Sequence, residues 1–483
     1  MKGINGFSQV VPLAAAFNQF EATKPRKSVR RRGLTFTSSV LLAICAMVLS
    51  FAPKAGADTV LHNFAGGPTD GDRALGTPVH DKFGNLYGVT SVGGTHGHGV
   101  VWVLCVLGAA GPWPCNTALP MTEYVLYNFK GVASSDGASP RGTLIFNSLY
   151  AGRDFTLYGT TYSGGNPSTC GGAGCGTVFE LCAPSNFGGC GGINIWKEHV
   201  LHSFTGGSDG ANPFGGVITD KASDLFGTTV YGGGLGNCLV GGTNDYCGTV
   251  FELKGQNPWT FPETILHRFK GGASDGANPY DALCCNTIFA IPYLYGTTFI
   301  GGPSNLGTVF KVKNAGAYPE TVLHSFAGTP DGAEPYASVI FDASGNLYGT
   351  ASAGGVNGKG SAFELTAPLL TTEVPLYDFC ALAGCTDGAL PASGLVFDAS
   401  GNLYGTTYDG GIAGCTGTCG IVYELSPAGP PWHETPLWSF LGGTDGWNPF
   451  AGVIFDPPVS ATNLYGATRF GGTSSDGAVY SVP

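Results

Sequence analysis

The sequence predicts an all-β protein, a seven-bladed β-propeller of four-stranded blades, and three observations carry that prediction. First, 80 of the 483 residues are Gly, 31 are Pro and only 11% are charged, while 43% are hydrophobic and 12% aromatic. Such apolar content can bury a large core, which excludes disorder, and the glycines lack the three-residue period of collagen. Gly, Thr, Val, Phe and Tyr disfavour helix, and most of them favour strands. Second, one sequence unit recurs from Thr59 onward; its marker Phe falls at Phe64, Phe129, Phe204, Phe269, Phe326, Phe379 and Phe440, at intervals of 53 to 75 residues. Regular repeats of this size mean a solenoid, an array or a propeller. Third, each unit holds four short β-like runs, which is the content of one propeller blade.

Residues 1 to 57 stand apart from the repeats. A basic stretch (Lys24, Arg26, Lys27, Arg30, Arg31, Arg32) precedes the apolar run LLAICAMVLSFA and then Ala55, Gly56 and Ala57. That order reads as a signal peptide with cleavage before Asp58. An uncleaved membrane anchor is the competing reading, but the run is short for a span. Arg31 and Arg32 are weakly similar to a twin-arginine signal, which leaves the export route open. Bulky Ile44 before Cys45 argues against a lipid anchor. Eight of the 22 basic residues and one of the 33 acidic residues lie in this segment, so the mature chain keeps 14 basic against 32 acidic residues, a formal charge of −18. That charge disfavours a nucleic-acid partner. No later apolar run approaches the length of a span, so the mature domain, residues 58 to 483, is expected to be monomeric, without a membrane span, and secreted or periplasmic.

Within the fifth unit the four runs are TVLHSF, SVIFD, NLYGT and SAFEL. The hairpin DASGN between the second and third has Asp and Asn for local backbone bonds and Gly for positive φ. If SVIFD is innermost, LHSF is outermost. The chain then opens with an outer strand, Thr59 to Phe64, and ends with the third strand of a blade, Gly477 to Val482. Antiparallel pairing of those two segments would close the ring.

These units resemble the Gloeo/Verruco repeat proteins, a tandem-repeat exported family. The matching segments are GNLYGVT (84–90), LYGTT (157–161), LFGTT (225–229), LYGTT (294–298), GNLYGTA (345–351), GNLYGTT (401–407) and NLYGAT (463–468). The resemblance spans the mature chain and implies a propeller-like exported protein, with no established activity. A C-terminal surface anchor, common in that family, is not expected here.

The repeated positions have structural readings. Gly88, Gly159, Gly227, Gly296, Gly349, Gly405 and Gly466 lie mid-strand, where Gly marks close approach by a neighbouring backbone or ring. An Asp-Gly pair follows each outer strand, at Asp70, Asp136, Asp209, Asp275, Asp331, Asp387 and Asp445, and a Gly-Gly pair lies between the third and fourth runs. Both sets of loops are expected on one face. Seven carboxylates there would suit Ca²⁺ or a polyhydroxylated ligand; the plainer reading is local turn bonding, because a residue found in every blade is more often blade chemistry than a site. His62, His202, His267 and His324 share a position with Tyr127, Tyr377 and Trp438, which marks half-buried packing. His96 and His98 depart from the repeat and are the weak metal candidates. No catalytic fingerprint and no cofactor motif is present. Carboxylates assembled from different blades would make a carbohydrate-active enzyme, and a structural envelope component is a third alternative.

Of 15 Cys, Cys45 lies in the leader, and twelve of the remainder form close pairs: Cys105/Cys115, Cys170/Cys175, Cys182/Cys190, Cys238/Cys247, Cys380/Cys385 and Cys415/Cys419. In an exported chain these read as local loop disulfides. Adjacent Cys284 and Cys285 form either a vicinal bridge or two thiols on opposite strand faces, the second being favoured. The expected function is non-catalytic binding of an extracellular glycan or protein, with Trp447 beside the seventh Asp-Gly turn as an aromatic contact.

Overall fold

The computed structural model describes residues 59–483 apart from 107–110, 148–154, 188–189, 221, 236–237, 241–242, 246, 256–260, 286–292, 314–319, 413–418, 428, 430 and 457–462. The expected leader, with its cleavage site after Ala57, lies outside the described residues. Seven antiparallel sheets form the ring. From the axis outward, blade 1 holds Val79–His80, Leu86–Gly93, Val100–Cys105 and Thr122–Asn128, and blade 2 holds Ile145–Asn147, Thr156–Gly164, Thr177–Cys182 and Lys197–Ser203. Blade 3 is Ile218–Thr219, Leu225–Thr229, Thr249–Leu253 and Glu263–Arg268; blade 4 is Cys284–Cys285, Tyr293–Thr298, Thr308–Lys313 and Thr321–Ser325. Blade 5 follows with Ile340–Phe341, Leu347–Ala351, Ser361–Leu365 and Glu373–Asp378, and blade 6 with Val396–Phe397, Leu403–Thr407, Ile421–Ser426 and His433–Ser439. Blade 7 takes Ile454–Phe455, Leu464–Thr468 and Ala478–Val482 from the last repeat and its outer strand, Thr59–Asn63, from ahead of the first.

The closing pair is antiparallel, with Thr59 opposite Ser481 and Asn63 opposite Ala478. Phe64 N–H extends it by donating to Gly477 O at 3.0 Å. The first and last described strands are thereby tied into one sheet, as the sequence register requires. Every outer strand carries a bulge at the Leu before the His, Tyr or Trp position, so that Leu61, for instance, is skipped between Val60 and His62 in the ladder. The inner hairpins turn as their sequences dictate. Asp342 Oδ1 accepts the N–H groups of Ser344 and Asn346, both at 2.8 Å, and Asp398 repeats the arrangement with Ser400 and Asn402.

Adjacent blades meet through aromatic rings. Each buried marker Phe stands edge-to-face on the third-strand aromatic of the next blade: Phe64 on Trp102, Phe129 on Phe179, Phe204 on Phe251, Phe269 on Phe310, Phe326 on Phe363, Phe379 on Tyr423 and Phe440 on Tyr480. Centroids lie 5.0 to 5.7 Å apart at 61 to 73°. The mid-strand glycines explain themselves here. A Cβ on Gly227 would lie 2.6 Å from Phe251 Cζ, and one on Gly349 would lie 2.6 Å from Phe363 Cζ. The ring occupies the space a side chain would take.

Five of the six expected disulfides are present, Cys105–Cys115, Cys170–Cys175, Cys182–Cys190, Cys238–Cys247 and Cys380–Cys385, with sequence separations of 5 to 10 residues. None of these five links two distant units. Cys419 is disulfide-bonded, and Cys415 lies outside the described residues. Cys284 and Cys285 are consecutive in the inner strand of blade 4, where Cys284 packs against the cluster of Tyr295 and Val309. Among the described residues no helix is long and apolar enough to cross a membrane.

Two expectations follow. Deleting residues 59 to 64 exposes the edge of Ala478–Val482 and removes Phe64 from Trp102; thermal unfolding should broaden, its midpoint should drop, and light scattering should show aggregation. Gly227→Ala should destabilise the protein by about 1 to 3 kcal/mol in urea unfolding through overpacking against Phe251.

Candidate functional site

Two regions concentrate polar or non-repeating side chains: the axial cavity and the clefts where Asp-Gly loops meet the next blade. The chain enters the axis through one residue in the left-handed region in every blade. Arg73, Ser139, Asn212, Asn278, Glu334, Leu390 and Asn448 have φ of +51 to +64°. Their N–H groups donate across the blade boundary to the carbonyls of Asp476, His98, Cys175, Cys247, Leu306, Lys359 and Cys419, at 2.7 to 2.9 Å. Asn suits this conformation best, and Asn212, Asn278 and Asn448 each add an Nδ2 bond to a neighbouring carbonyl. Six of the seven units then have Pro, and the residue after this position points to the axis: Arg141, Phe214, Tyr280, Tyr336, Ala392 and Phe450, with Leu75 in the first unit.

Those side chains nearly fill the channel. Tyr280 stacks on Tyr336 with centroids 4.6 Å apart, Phe214 contacts both, and Phe450 stands edge-on to Tyr336 at 5.0 Å. The Arg141 guanidinium lies 3.8 Å from the centre of the Tyr162 ring and 5.1 Å from that of Phe214. The remaining cavity is about 40 Å³, room for a few waters at most. Asp281 contributes the one carboxylate of its lining. Both of its oxygens are committed, Oδ1 to Ala282 N–H and Oδ2 to Ser338 N–H, each at 2.8 Å. Burial raises the Asp281, Tyr280 and Tyr336 pKa values and lowers that of Arg141. The phenols are fixed as neutral walls and Arg141 is a guanidinium held between rings; among the described residues the lining holds no second carboxyl to pair with Asp281.

The seven repeat carboxylates do not line that cavity. Each turns back into its own loop and accepts a backbone N–H just past the marker Phe: Asp70 from Ala65, Asp136 from Lys130, Asp209 from Thr205, Asp275 from Lys270, Asp331 from Ala327, Asp387 from Ala381 and Asp445 from Leu441. The loop stays tied to the Gly-Gly loop on the same face, through bonds such as Gly94 N–H to Asp70 O and Gly302 N–H to Asp275 O. Trp447 sits on this face, 36% exposed and tilted against Phe470. His96 and His98 are exposed on the Gly-Gly loop of blade 1, and neither belongs to a group of three metal-ligating side chains among the described residues.

The His, Tyr or Trp position packs as expected but does more. His202 stands edge-on to Phe204 at 4.7 Å and His267 to Phe269 at 4.8 Å. The polar end of each His and Tyr ring faces the Asp of the following loop. Tyr127 Oη donates to Asp136 Oδ2 at 2.8 Å and Tyr377 Oη to Asp387 Oδ2 at 2.9 Å. A third member comes from the outer strand of the next blade: Glu123 beside Asp70, Glu198 beside Asp136, Glu263 beside Asp209, Glu320 beside Asp275, Glu373 beside Asp331 and Glu434 beside Asp387. Sequence reasoning passed over these six acids, although each stands four residues before the His, Tyr or Trp of its own unit. Burial, then the neighbouring Asp, pushes Glu123 and Glu198 up to about 8 and Glu320 and Glu434 up to about 9. Burial opposes ionisation of Asp209, Asp275 and Asp331 too, but the adjacent imidazoles and loop donors carry each below its ordinary value. Three of these sets, His62/Asp70/Glu123, His202/Asp209/Glu263 and His267/Asp275/Glu320, bring one imidazole nitrogen and two carboxylate oxygens within 4.8 Å of one another. A further set, Cys182/Cys190/His199, meets the same distance test, but its two sulfurs are joined as a disulfide.

With blade boundaries, marker aromatics and loops in place, the repeat can be matched to known sequences. The family model described as the Gloeobacter/Verrucomicrobia repeat matches residues 34–284 and 235–480. The chain belongs to that family. No curated protein matches this Gloeobacter/Verrucomicrobia repeat chain. Among solved structures it is similar to a Bacteroides fragilis protein assigned as a 6-phosphogluconolactonase, with 14% identity, TM-score 0.43, and 80% of this chain and 87% of that one covered. A Xanthomonas campestris gluconolactonase gives 13% identity, TM-score 0.32 and coverage of 64% and 78%. An arabinobiose-bound α-L-arabinanase of Penicillium chrysogenum gives 11%, 0.38, and 68% and 89%.

The Glu434 carboxyl gives this Gloeobacter/Verrucomicrobia repeat protein a defined pH response. Its folded-state pKa, about 9, lies above the unfolded value near 4.5, so between those values the native state holds the extra proton. Stability therefore falls as pH rises, by on the order of 1 kcal/mol per pH unit for such a carboxyl. Urea unfolding at pH 5 and pH 8 should show lower stability at pH 8, and Glu434→Gln should reduce that difference by one carboxyl's share, since Glu123, Glu198 and Glu320 are raised in the same way.

Proposed function

We propose that the protein is an exported, monomeric, non-catalytic propeller that binds an extracellular partner on its Asp-Gly-loop face. The carrying observation is the placement of exposed apolar side chains. Leu235, Val356 and Ile412 follow Gly-Gly pairs, and Leu382, Leu441 and Trp447 lie in Asp-Gly loops, at 36 to 60% exposure. The loops that carry them are held by bonds between the two loop sets and, next to Leu235 and Leu382, by Cys238–Cys247 and Cys380–Cys385. Rigid loops lose little freedom on binding, so apolar tips on them contribute more of their contact energy to affinity. Aliphatic tips outnumber the exposed aromatic one on this face, which fits a protein surface first; Trp447 would also stack on a sugar face. Local disulfides support an oxidising compartment, and the basic-then-apolar leader supports export with cleavage near Ala57.

The enzyme alternative draws less support. Glycoside hydrolysis ordinarily needs two carboxyl groups about 5 to 9.5 Å apart flanking the bond. The axial cavity supplies Asp281 with both oxygens occupied, and its volume of about 40 Å³ is too small for a sugar ring.

The test is capture of extracellular proteins and a glycan array with the purified protein, followed by the same measurements on Trp447→Ala combined with Leu441→Ser. Both residues are solvent-exposed, so the variant should keep the parent's melting temperature within a few degrees while binding at least tenfold more weakly. A partner held equally well by the variant, or no partner above background in either format, would sink the proposal.

A further inference from the structure

We infer that three blade boundaries are zinc sites, each built from one imidazole and two carboxylates: His62/Asp70/Glu123 between blades 7 and 1, His202/Asp209/Glu263 between blades 2 and 3, and His267/Asp275/Glu320 between blades 3 and 4. The distances point to an ion rather than to hydrogen bonds at the middle site. His202 Nε2 lies 3.6 Å from Asp209 Oδ2 and 3.7 Å from Glu263 Oε1. Hydrogen bonds between charged groups of these types run about 2.7 to 2.9 Å. Around tetrahedral Zn²⁺, with bonds of about 2.0 to 2.2 Å, neighbouring ligand atoms are roughly 3.3 to 3.5 Å apart. His202 Nε2 therefore stands close to one tetrahedral edge from each carboxylate. His62 Nε2 is 3.3 Å from Asp70 Oδ2, and His267 Nε2, at 3.2 Å from Asp275 Oδ1, makes a hydrogen bond that an ion would replace.

A second observation is independent of those distances. His62 Nε2, His202 Nε2, Glu123 Oε1, Glu263 Oε1 and Glu320 Oε1 are all shielded from solvent without a hydrogen-bond partner. Native interiors rarely leave such atoms unsatisfied unless an ion or water belongs there. At the middle site the two orphaned atoms, His202 Nε2 and Glu263 Oε1, face each other directly.

The molecule contains its own control. In blades 1 and 5 a Tyr replaces the His, and its hydroxyl closes on the Asp at 2.8 and 2.9 Å. Where His stands the separation opens to 3.2 to 3.6 Å at all four boundaries, and at three of them, not at His324/Asp331, the Glu of the next blade comes close enough to complete a group of three ligand atoms. A phenol gives the Asp a hydrogen bond while Glu198 Oε1 and Glu434 Oε1 beside it stay without a partner, whereas an imidazole adds a nitrogen ligand to the two carboxylates.

The donor chemistry selects the metal. Ca²⁺ takes six to eight oxygens, while one imidazole with two carboxylates suits Zn²⁺, with water in the fourth position. Each ion would join the outer strand and following loop of one blade to the outer strand of the next. At the first boundary it would fasten Thr59–Asn63, the strand that closes the ring, to Thr122–Asn128.

The test uses the purified protein stripped with EDTA and titrated with ZnCl₂, with CaCl₂ as the control. About three equivalents of zinc should bind by elemental analysis, the melting temperature should rise with zinc and not with calcium, and Co²⁺ should give the intense visible bands of tetrahedral coordination. His202→Tyr should lose one equivalent, and His62→Tyr/His202→Tyr/His267→Tyr should lose all three and the zinc-dependent rise. Tyr stands at this position in blades 1 and 5, so folding should survive; Glu123→Gln/Glu263→Gln/Glu320→Gln is the second set should the first fail to fold. Absence of zinc binding to the parent protein, or zinc undiminished in a folded triple variant, overturns the assignment.

Discussion

The edge-to-face contact between a marker Phe and the third-strand aromatic of the next blade is the interaction on which the ring depends. A four-stranded blade cannot bury both of its faces alone, so its stability comes from its neighbours. Each such contact adds about 0.5 to 1.5 kcal/mol beyond the area it buries. Its geometry also fixes what can stand beneath it. Gly159, Gly227, Gly296 and Gly349 lie where the ring edges of Phe179, Phe251, Phe310 and Phe363 approach the second strand, so the glycine and the aromatic are two halves of one requirement. A ring of these contacts has no free end only if the seventh interface forms. That is why Thr59–Asn63 must reach blade 7 and place Phe64 against Trp102.

Once the aromatic seam sets the spacing of blades, the polar groups near it have little freedom. The bulge in every outer strand lets the His or Tyr ring lie edge-on to the marker Phe while its polar end meets the Asp of the next loop. That Asp is already spent on loop amides, as with Asp275 and the N–H groups of Lys270 and Gly276. A Glu from the adjoining strand then arrives in a space with few donors. Burying a carboxyl there without a cation raises its pKa, which is what Glu198 and Glu434 show. The boundary is apolar on its inner side and starved of positive charge on its outer side.

Much of the fold was legible in the sequence because it is repeated. Seven variants of the LHSF, NLYGT and GTVF runs show period, strand count and closing register without any homologue, and the local cysteine pairs show the loop disulfides. Repetition also hid something. Glu123, Glu198, Glu263, Glu320, Glu373 and Glu434 repeat as regularly as the aspartates, but a strand-initial acid looks like a solvated edge until the next blade is placed against it. The histidines were read as packing, which is half of what they do; the polar half needs an Asp from the following loop and a Glu from the next blade. Arg141 and Asp281 were missed for the opposite reason, since they depart from the repeat singly, and only the left-handed residue before each Pro shows that this position turns to the axis.

The division between regular and irregular positions separates what holds the ring together from what the molecule can offer to others. Positions that repeat in all blades, the marker Phe, the strand Gly and the loop Asp, meet demands that every blade boundary makes equally. Positions that vary are released from those demands. Along the axis the variable residues pack against one another, and Tyr280, Tyr336, Phe214 and Phe450 close the channel around Arg141. On the Asp-Gly-loop face Leu235, Val356, Leu382, Ile412, Leu441 and Trp447 remain exposed on loops whose backbones are fixed by the repeat. Among the described residues the axial side chains are fixed by contact with one another, whereas a face of variable tips on an invariant frame can change without disturbing the seam beneath it. Substitution at the rim is therefore the change that disturbs the ring least.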